Sequence, residues 1–440
     1  MKRVLCLFMV IVTLLTGCTS SHTVQRESPE QLEYPSEQEQ DEKQEQSKQE
    51  DQSEEPIKYN TMISPKSELS IVRKPEAADY TIYRPGKMLE LPRYNPQLSE
   101  MWQVDLRSSD LTNLDLGENF EDLIYADFDS KTKWSDNLPD GFNHELIMEL
   151  GKNPGLGLRE LHEKGITGKG ISIAIIDQAL LVDHVEYKEQ LKLYEEIHYI
   201  NETRSINGPI ASMHGPAVAS IAVGKTVGVA PEANLYFIAE THGVYNEKRE
   251  FEWDLTWVAK SIDRIVEINN IIPEGEKIRV ISISLGIGEK MNGYAKVLES
   301  IEKAKQEGIY TIYVGSDPLR GLGRNPLKNP DDSASYLKGE FWKIYEYNND
   351  DLLVPMDSRC TAGPSGNNDY AFYRQGGMSW AVPYVAGLYA LACQINPSIT
   401  PEVFWEIALD TGEIISLSNG DTLGNIVNPA RLIEKIEKLK

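Results

Sequence analysis

The chain of 440 residues lacks an H-E-x-x-H segment and any pair of cysteines or histidines at metal-ligand spacing, so metal-dependent hydrolysis has no signature here. Cysteine is scarce: there are four, and nothing in their spacing requires a disulfide. Basic charge is also short. With 44 Lys and Arg against 68 Asp and Glu, the net charge is −24, which argues against a nucleic-acid-binding protein. The apolar stretch from Val4 to Leu15 follows Lys2 and Arg3 and is too short to span a bilayer comfortably, so it reads as the apolar part of a signal peptide. Residues 19–58 have almost no large apolar side chains. A run such as QEQDEKQEQSKQEDQSEEP cannot bury enough surface to offset chain entropy, and a disordered, self-repelling tether is expected.

What remains suits a globular protein with a sizeable core: 40% of residues are apolar and 25% charged. Residues 59–155 are globular in composition but rich in proline and turns. Within them VDLRSSDLTNLDL (104–116) spaces its leucines like a repeat, yet one copy is too few for a solenoid. This segment is either a processed pro-segment or a permanent extension packed on the next domain. From about 156 onward, β-branched runs alternate with helical patterns. ISIAIID (171–177), NLYFIA (234–239), VISISLG (280–286) and YTIYVG (310–315) read as strands. Residues 215–224, 255–270, 293–308, 380–395 and 401–409 read as helices. Such alternation predicts an α/β fold, a mostly parallel sheet with helices on both faces. Ligands then bind beyond the carboxyl ends of the strands.

Three residues stand at chemically useful places in that pattern. Asp177 ends the first strong strand. His214 precedes Gly215 and Pro216 at the start of a small-residue helix. Ser379 comes after two glycines in GGMSWAVPYVAG (376–387). Singly they read as a turn aspartate, a loop histidine and a helix N-cap, with Pro383 harmless in a first turn whose N–H groups have no helical partner. Together they form the order Asp…His…Ser, one of three chain orders in which the same hydrolytic triad has arisen. A hydroxyl is a poor nucleophile at neutral pH, and an imidazole within hydrogen-bond reach is the base it needs.

The surrounding motifs resemble those of subtilisin-like serine peptidases. GITGKGISIAIID (165–177) is similar to the family's strand leading to its aspartate. Asp183-His184-Val185-Glu186-Tyr187 echoes its His-Pro-Asp-Leu segment. His214-Gly215 matches the start of His-Gly-Thr-His, and Gly228-Val229-Ala230-Pro231 matches Gly-Val-Ala-Pro. Gly377 to Gly387 matches Gly-Thr-Ser-Met-Ala-Thr-Pro-His-Val-Ala-Gly. The resemblance spans about 156–410. It implies a three-layer fold, a triad of Asp177, His214 and Ser379, and extended peptide binding beside Ser284, Leu285 and Gly286. It requires no cofactor and allows a structural calcium, for which no ligands can be assigned. It also exposes departures. The family's oxyanion asparagine comes after Ala-Gly; here Val314-Gly315 leads to Ser316 and Asp317, so Ser316 becomes the candidate donor. Gln178, Ala217, Met378 and Trp380 replace other residues of the family's motifs. His184 and His242 are the rival histidines, and His242 lacks a small-residue helix after it.

Leu15-Thr16-Gly17-Cys18 resembles the lipobox of bacterial lipoproteins. That resemblance implies lipidation of Cys18 and a protein held on the outer face of the membrane. The expected division is 1–17 signal peptide, 18–58 tether, 59–155 extension or pro-segment and 156–440 peptidase domain. The expected function is a membrane-anchored serine endopeptidase acting on peptides or proteins as a monomer. The alternative is a weak or silent member of the same fold that binds peptides. Export permits a Cys360–Cys393 disulfide, although two free, buried thiols fit equally well.

Overall fold

The computed structural model describes residues 58–440 except 67, 85, 99, 201–209, 249, 341–346, 349 and 418–419. The signal peptide, Cys18 and most of the acidic tether lie outside the described residues. At the centre is a six-stranded sheet. Its strands are β1 (Tyr59–Met62), β2 (Ser172–Asp177), β3 (Leu191–Ile200), β4 (Asn234–Ala239), β5 (Ile278–Gly286) and β6 (Tyr310–Val314), in the order β1-β3-β4-β2-β5-β6. All pairings are parallel except β1 with β3.

Strands β2, β4, β5 and β6 are nearly continuous apolar runs because both faces are covered. Successive side chains of β2 point to opposite faces. Ile173 and Ile175 enter one core with helices α1 (His214–Val223) and α4 (Met378–Ile395), while Ala174 and Ile176 enter the other with α2 (Leu255–Ile271) and α3 (Tyr294–Gln306). This is the three-layer arrangement expected. Helix α4 is long and apolar enough to cross a membrane, but 83% of it is buried within the protein, so its apolarity serves the core. A five-stranded sheet built around Leu319–Arg324 and Leu352–Pro355 packs beyond it, and so does a three-stranded sheet of Arg359–Ala362, Tyr370–Tyr373 and Phe128–Asp129.

Residues 59–155 are woven into this frame. Strand β1 adds antiparallel to β3. Glu195 of β3, fully buried, accepts from Arg264 of α2 through Nε and Nη2, both at 2.9 Å, and from the Ser64 N–H at 2.8 Å. Its neighbour Glu196 pairs with Arg73. Further on, the leucine-rich stretch winds into stacked coils. Lys87, Asp110 and Lys133 lie in parallel register, and the N–H groups of Met88 and Leu111 reach the carbonyls of Asp110 and Lys133 at 2.7 and 2.8 Å. Aspartates bend each turn: Asp105 and Asp110 accept the N–H groups of Arg107 and Thr112. One copy of the leucine pattern suffices because the stack need not close itself. Phe372, from the segment beyond residue 155, belongs to its core, with the Phe128 and Phe372 rings 5.1 Å apart.

The junction titrates. Asp127 Oδ1 accepts the Arg374 N–H at 2.7 Å, and burial pushes its carboxyl up to about 8. Burial also raises Asp357, to about 6. A group raised on folding stabilises fully below its unfolded pKa, and that stabilisation is lost as pH rises to the folded value. Histidines held low by burial, such as His162 and His184, act in the opposite sense only below about 6.5. Melting temperature is therefore expected to rise as pH falls from 8 to 6.5. The slope from Asp127 alone is about 1.4 kcal/mol per pH unit. Thermal denaturation of Asp127→Asn should show a flatter slope; an unchanged one rejects this origin.

Candidate active site

At the carboxyl edge of the sheet, local devices pair Asp177 with His214 and set Ser379 against Ser284 of the neighbouring strand. Asp177 is the last residue of β2, paired with Ala239 of β4 and 1% exposed. Its Oδ1 accepts the Gln178 N–H at 2.8 Å. Helix α1 then starts hard against the loop after β2. A Cβ on Gly215 would lie 2.4 Å from the Gln178 carbonyl oxygen, so only glycine allows this approach. Ser212 caps the helix, accepting the Gly215 N–H at 3.0 Å. The result places His214 Nδ1 2.7 Å from Asp177 Oδ1.

Ser379 enters from the other side. It is the second residue of α4, after Gly377 at φ +62°, and is 9% exposed. Trp380, the next residue, sets its ring 5.5 Å from that of His214, inclined at 68°. Pro383 is not in the first turn, contrary to the sequence reading. It lies deep enough that its absent N–H deprives the Ser379 carbonyl of its helical partner. The hydroxyl of Ser284, at the end of β5, supplies that bond at 3.0 Å. Among the described residues, the Ser379 hydroxyl makes only a long 3.4 Å contact with the Ser284 carbonyl. Ser284 and Leu285 also sit at an irregularity in the β5–β6 pairing, between Ile283 and Gly286.

Ser316 is placed differently from the expectation. Its single hydroxyl proton faces Asp317 Oδ2 at 2.6 Å and the Tyr313 carbonyl at 2.9 Å. It is thus engaged within the strand end rather than offered to an oxyanion. Asp317 also accepts from the Tyr310 hydroxyl at 2.5 Å, and burial raises its carboxyl. His184 lies apart from the site, with Nε2 2.8 Å from the Asp369 carbonyl and Nδ1 accepting the Glu186 N–H at 3.2 Å.

A second carboxylate–imidazole pair, missed in the sequence, stands beside the first. His242 Nδ1 is 2.5 Å from Glu240 Oε2, and the Glu240 N–H donates to the Asp177 carbonyl at 2.8 Å. Burial lowers His242, but Glu240 prevails and holds it above its usual value. Glu240 and His242, two apart at a strand end, were the available signal. Cys360 and Cys393 are free, buried thiols. Among the described residues no group of His, Cys, Asp or Glu is placed to hold a metal ion, so no calcium ligand is assigned.

Residues 168–333 match the model of the subtilase family. Over that span, 166 of its 440 residues, the chain is similar to subtilase domains. Its type is that of a subtilisin-like serine peptidase, and its fold is the subtilisin-like α/β arrangement. The matched span includes Asp177 and His214; Ser379 lies beyond it. The chain is similar to the major intracellular serine protease of Bacillus subtilis, at 25% identity over 269 residues, covering 56% of this chain and 77% of that one. It is also similar to subtilisin-like protease 2 of Arthroderma otae, at 25% identity, covering 60% of this chain and 57% of the relative. The chain thus spans little more than half the length of the fungal protein. The prenylagaramide maturation protease PagA superposes with a TM-score of 0.43 at 18% identity, over 64% of this chain and 98% of that one.

Proposed function

We propose that this subtilase-like domain belongs to a lipid-anchored serine endopeptidase working outside the cytoplasmic membrane. In this reading His214 takes the proton of Ser379 as the hydroxyl attacks a peptide carbonyl, then returns it to the leaving amine. Asp177 fixes the imidazole tautomer and stabilises its cation. An acyl-enzyme forms on Ser379 and is hydrolysed by water. The Ser379 backbone N–H, at the positive end of α4, donates to the developing oxyanion. Substrate lies extended beside Ser284, Leu285 and Gly286, by strand addition. The observation that supports this most is the 2.7 Å contact of His214 with the buried Asp177, beside Trp380 at the start of the Ser379 helix. Labelling of the folded protein by a fluorophosphonate probe, mapped to Ser379 by mass spectrometry, tests it. No labelling at any pH counts against it.

The engagement of Ser316 favours a second reading, in which the site is weak or silent and serves to hold a peptide. The two part on one substitution. An asparagine amide extends further than the serine hydroxyl, and one oxyanion donor is worth about 10²–10³ in turnover. Ser316→Asn is therefore expected to raise kcat by about tenfold or more, with KM little changed. A tight peptide complex that survives prolonged incubation with both proteins would instead establish the binding module.

A further inference from the structure

The carboxylate of Asp357 holds the turn that presents Ser379. Asp357 comes after the strand Leu352–Pro355 and is 1% exposed. Its own N–H donates to the Leu322 carbonyl at 3.0 Å, which fixes the backbone. Its two oxygens then act separately. Oδ1 accepts the Gly376 N–H at 3.0 Å, and Oδ2 accepts the Glu340 N–H at 2.9 Å. Gly376 is the first glycine of the turn before Ser379, and it is pressed onto the neighbour of Asp357. A Cβ there would lie 2.3 Å from the Met356 carbonyl oxygen and 2.9 Å from Trp380 Cδ1. Gly377 is next, at φ +62°. The position of the serine is thus set from below, through one charged hydrogen bond.

We propose that Asp357 is a positioning residue whose ionised carboxylate, by holding the Gly376 N–H, keeps Ser379 in attacking position, and whose protonation releases the turn. The inference rests on the reading of Ser379 as nucleophile. The physical reason is donor–acceptor balance. A carboxylate accepts from both N–H groups. A carboxylic acid carries a proton of its own on one oxygen, facing an N–H, so one of the two bonds gives way. Among the described residues, the titratable groups facing Asp357 are Arg374, which favours its ionised form, and Glu340 and the Tyr347 phenol, which disfavour charge there. Burial outweighs Arg374, and the carboxyl rises to about 6.

The test is the rate of fluorophosphonate labelling of Ser379 as a function of pH, on the folded protein. In the wild type the acid limb is expected to approach two protons, one on His214 and one on Asp357. Asp357→Asn mimics the protonated state at every pH. It should label about tenfold more slowly at pH 8, consistent with loss of one hydrogen bond to a charged group, and its acid limb should fall to one proton. A merely structural role would slow labelling without changing the limb's steepness. A one-proton limb in the wild type overturns the inference by itself, whether or not Asp357→Asn folds. So does an Asp357→Asn profile identical to the wild type. A wild type that is never labelled overturns the nucleophile reading, and this inference falls with it.

Discussion

Ser379→Ala is expected to eliminate probe labelling and to lower kcat/KM on an unstructured peptide by at least about 10⁴. The size reflects how the groups act. Removing the nucleophile leaves His214 and Asp177 with no proton to move, so His214→Ala should lose a similar factor and the double replacement should lose little more. The fold should be almost unaffected. Among the described residues, the Ser379 hydroxyl makes only the 3.4 Å contact with the Ser284 carbonyl, beyond the usual length of a good bond, so its removal costs less than about 1 kcal/mol. A kcat/KM that survives Ser379→Ala while melting is unchanged removes the serine-peptidase reading. Asp177→Asn separates the roles further. The Asp177–His214 contact of 2.7 Å would persist with the wrong imidazole tautomer, and a loss of about 10⁴ in kcat is expected, with probe labelling slowed in parallel.

Much of this geometry was legible because it depends on local chemistry. Asp177, His214 and Ser379 are marked by their sequence neighbours: a strand running into a loop for the aspartate, a glycine and a small-residue helix for the other two. The strands β2, β4, β5 and β6 were legible as apolar runs. Strand β3 was not, since LKLYEEIHYI carries two glutamates where a buried strand should have none. Their partners, Arg264 and Arg73, lie far away along the chain, and no local pattern reveals a buried charge whose compensation comes from elsewhere. The same limit hid the real neighbours of Ser316. Its side chain could have faced the cleft by sequence alone; Asp317 and Tyr313 claim it. Pro383 sits deeper in its helix than the pattern suggests, because the helix begins at Met378 and helix starts are the least defined feature of a pattern. Asp357 offered no signal at all. It is a lone aspartate whose meaning comes from the Gly376 N–H, which only folding brings near.

Deleting residues 58–155 is expected to leave 156–440 without a cooperative melting transition. The extension supplies parts that the rest cannot replace. Without Ser64, the buried Glu195 loses its N–H partner, and without β1 the antiparallel edge of β3 is bare. Phe372 would face water rather than the leucine-rich coils, and burying an aromatic of that kind contributes about 1.5–3 kcal/mol. The extension also reaches toward the site. The guanidinium of Arg107 lies 5.4 Å from the Tyr373 ring centroid, Tyr373 stands 5.3 Å from Trp380, and Trp380 packs on His214. A pro-segment destined for removal has little reason to be a chain of contacts into the imidazole. A point test isolates one strut of this arrangement: Glu195→Ala removes two bonds from Arg264 and one from the Ser64 N–H, leaves Arg264 with Glu267 at 3.1 Å and the Ser64 carbonyl at 3.2 Å, and should cost about 1–3 kcal/mol. Mass spectrometry of the mature protein closes the question from the other side. An N-terminus at a lipidated Cys18 agrees with a permanent extension on a membrane tether. A soluble, active chain starting near 156, with melting close to that of the longer protein, makes the extension a discarded pro-segment after all.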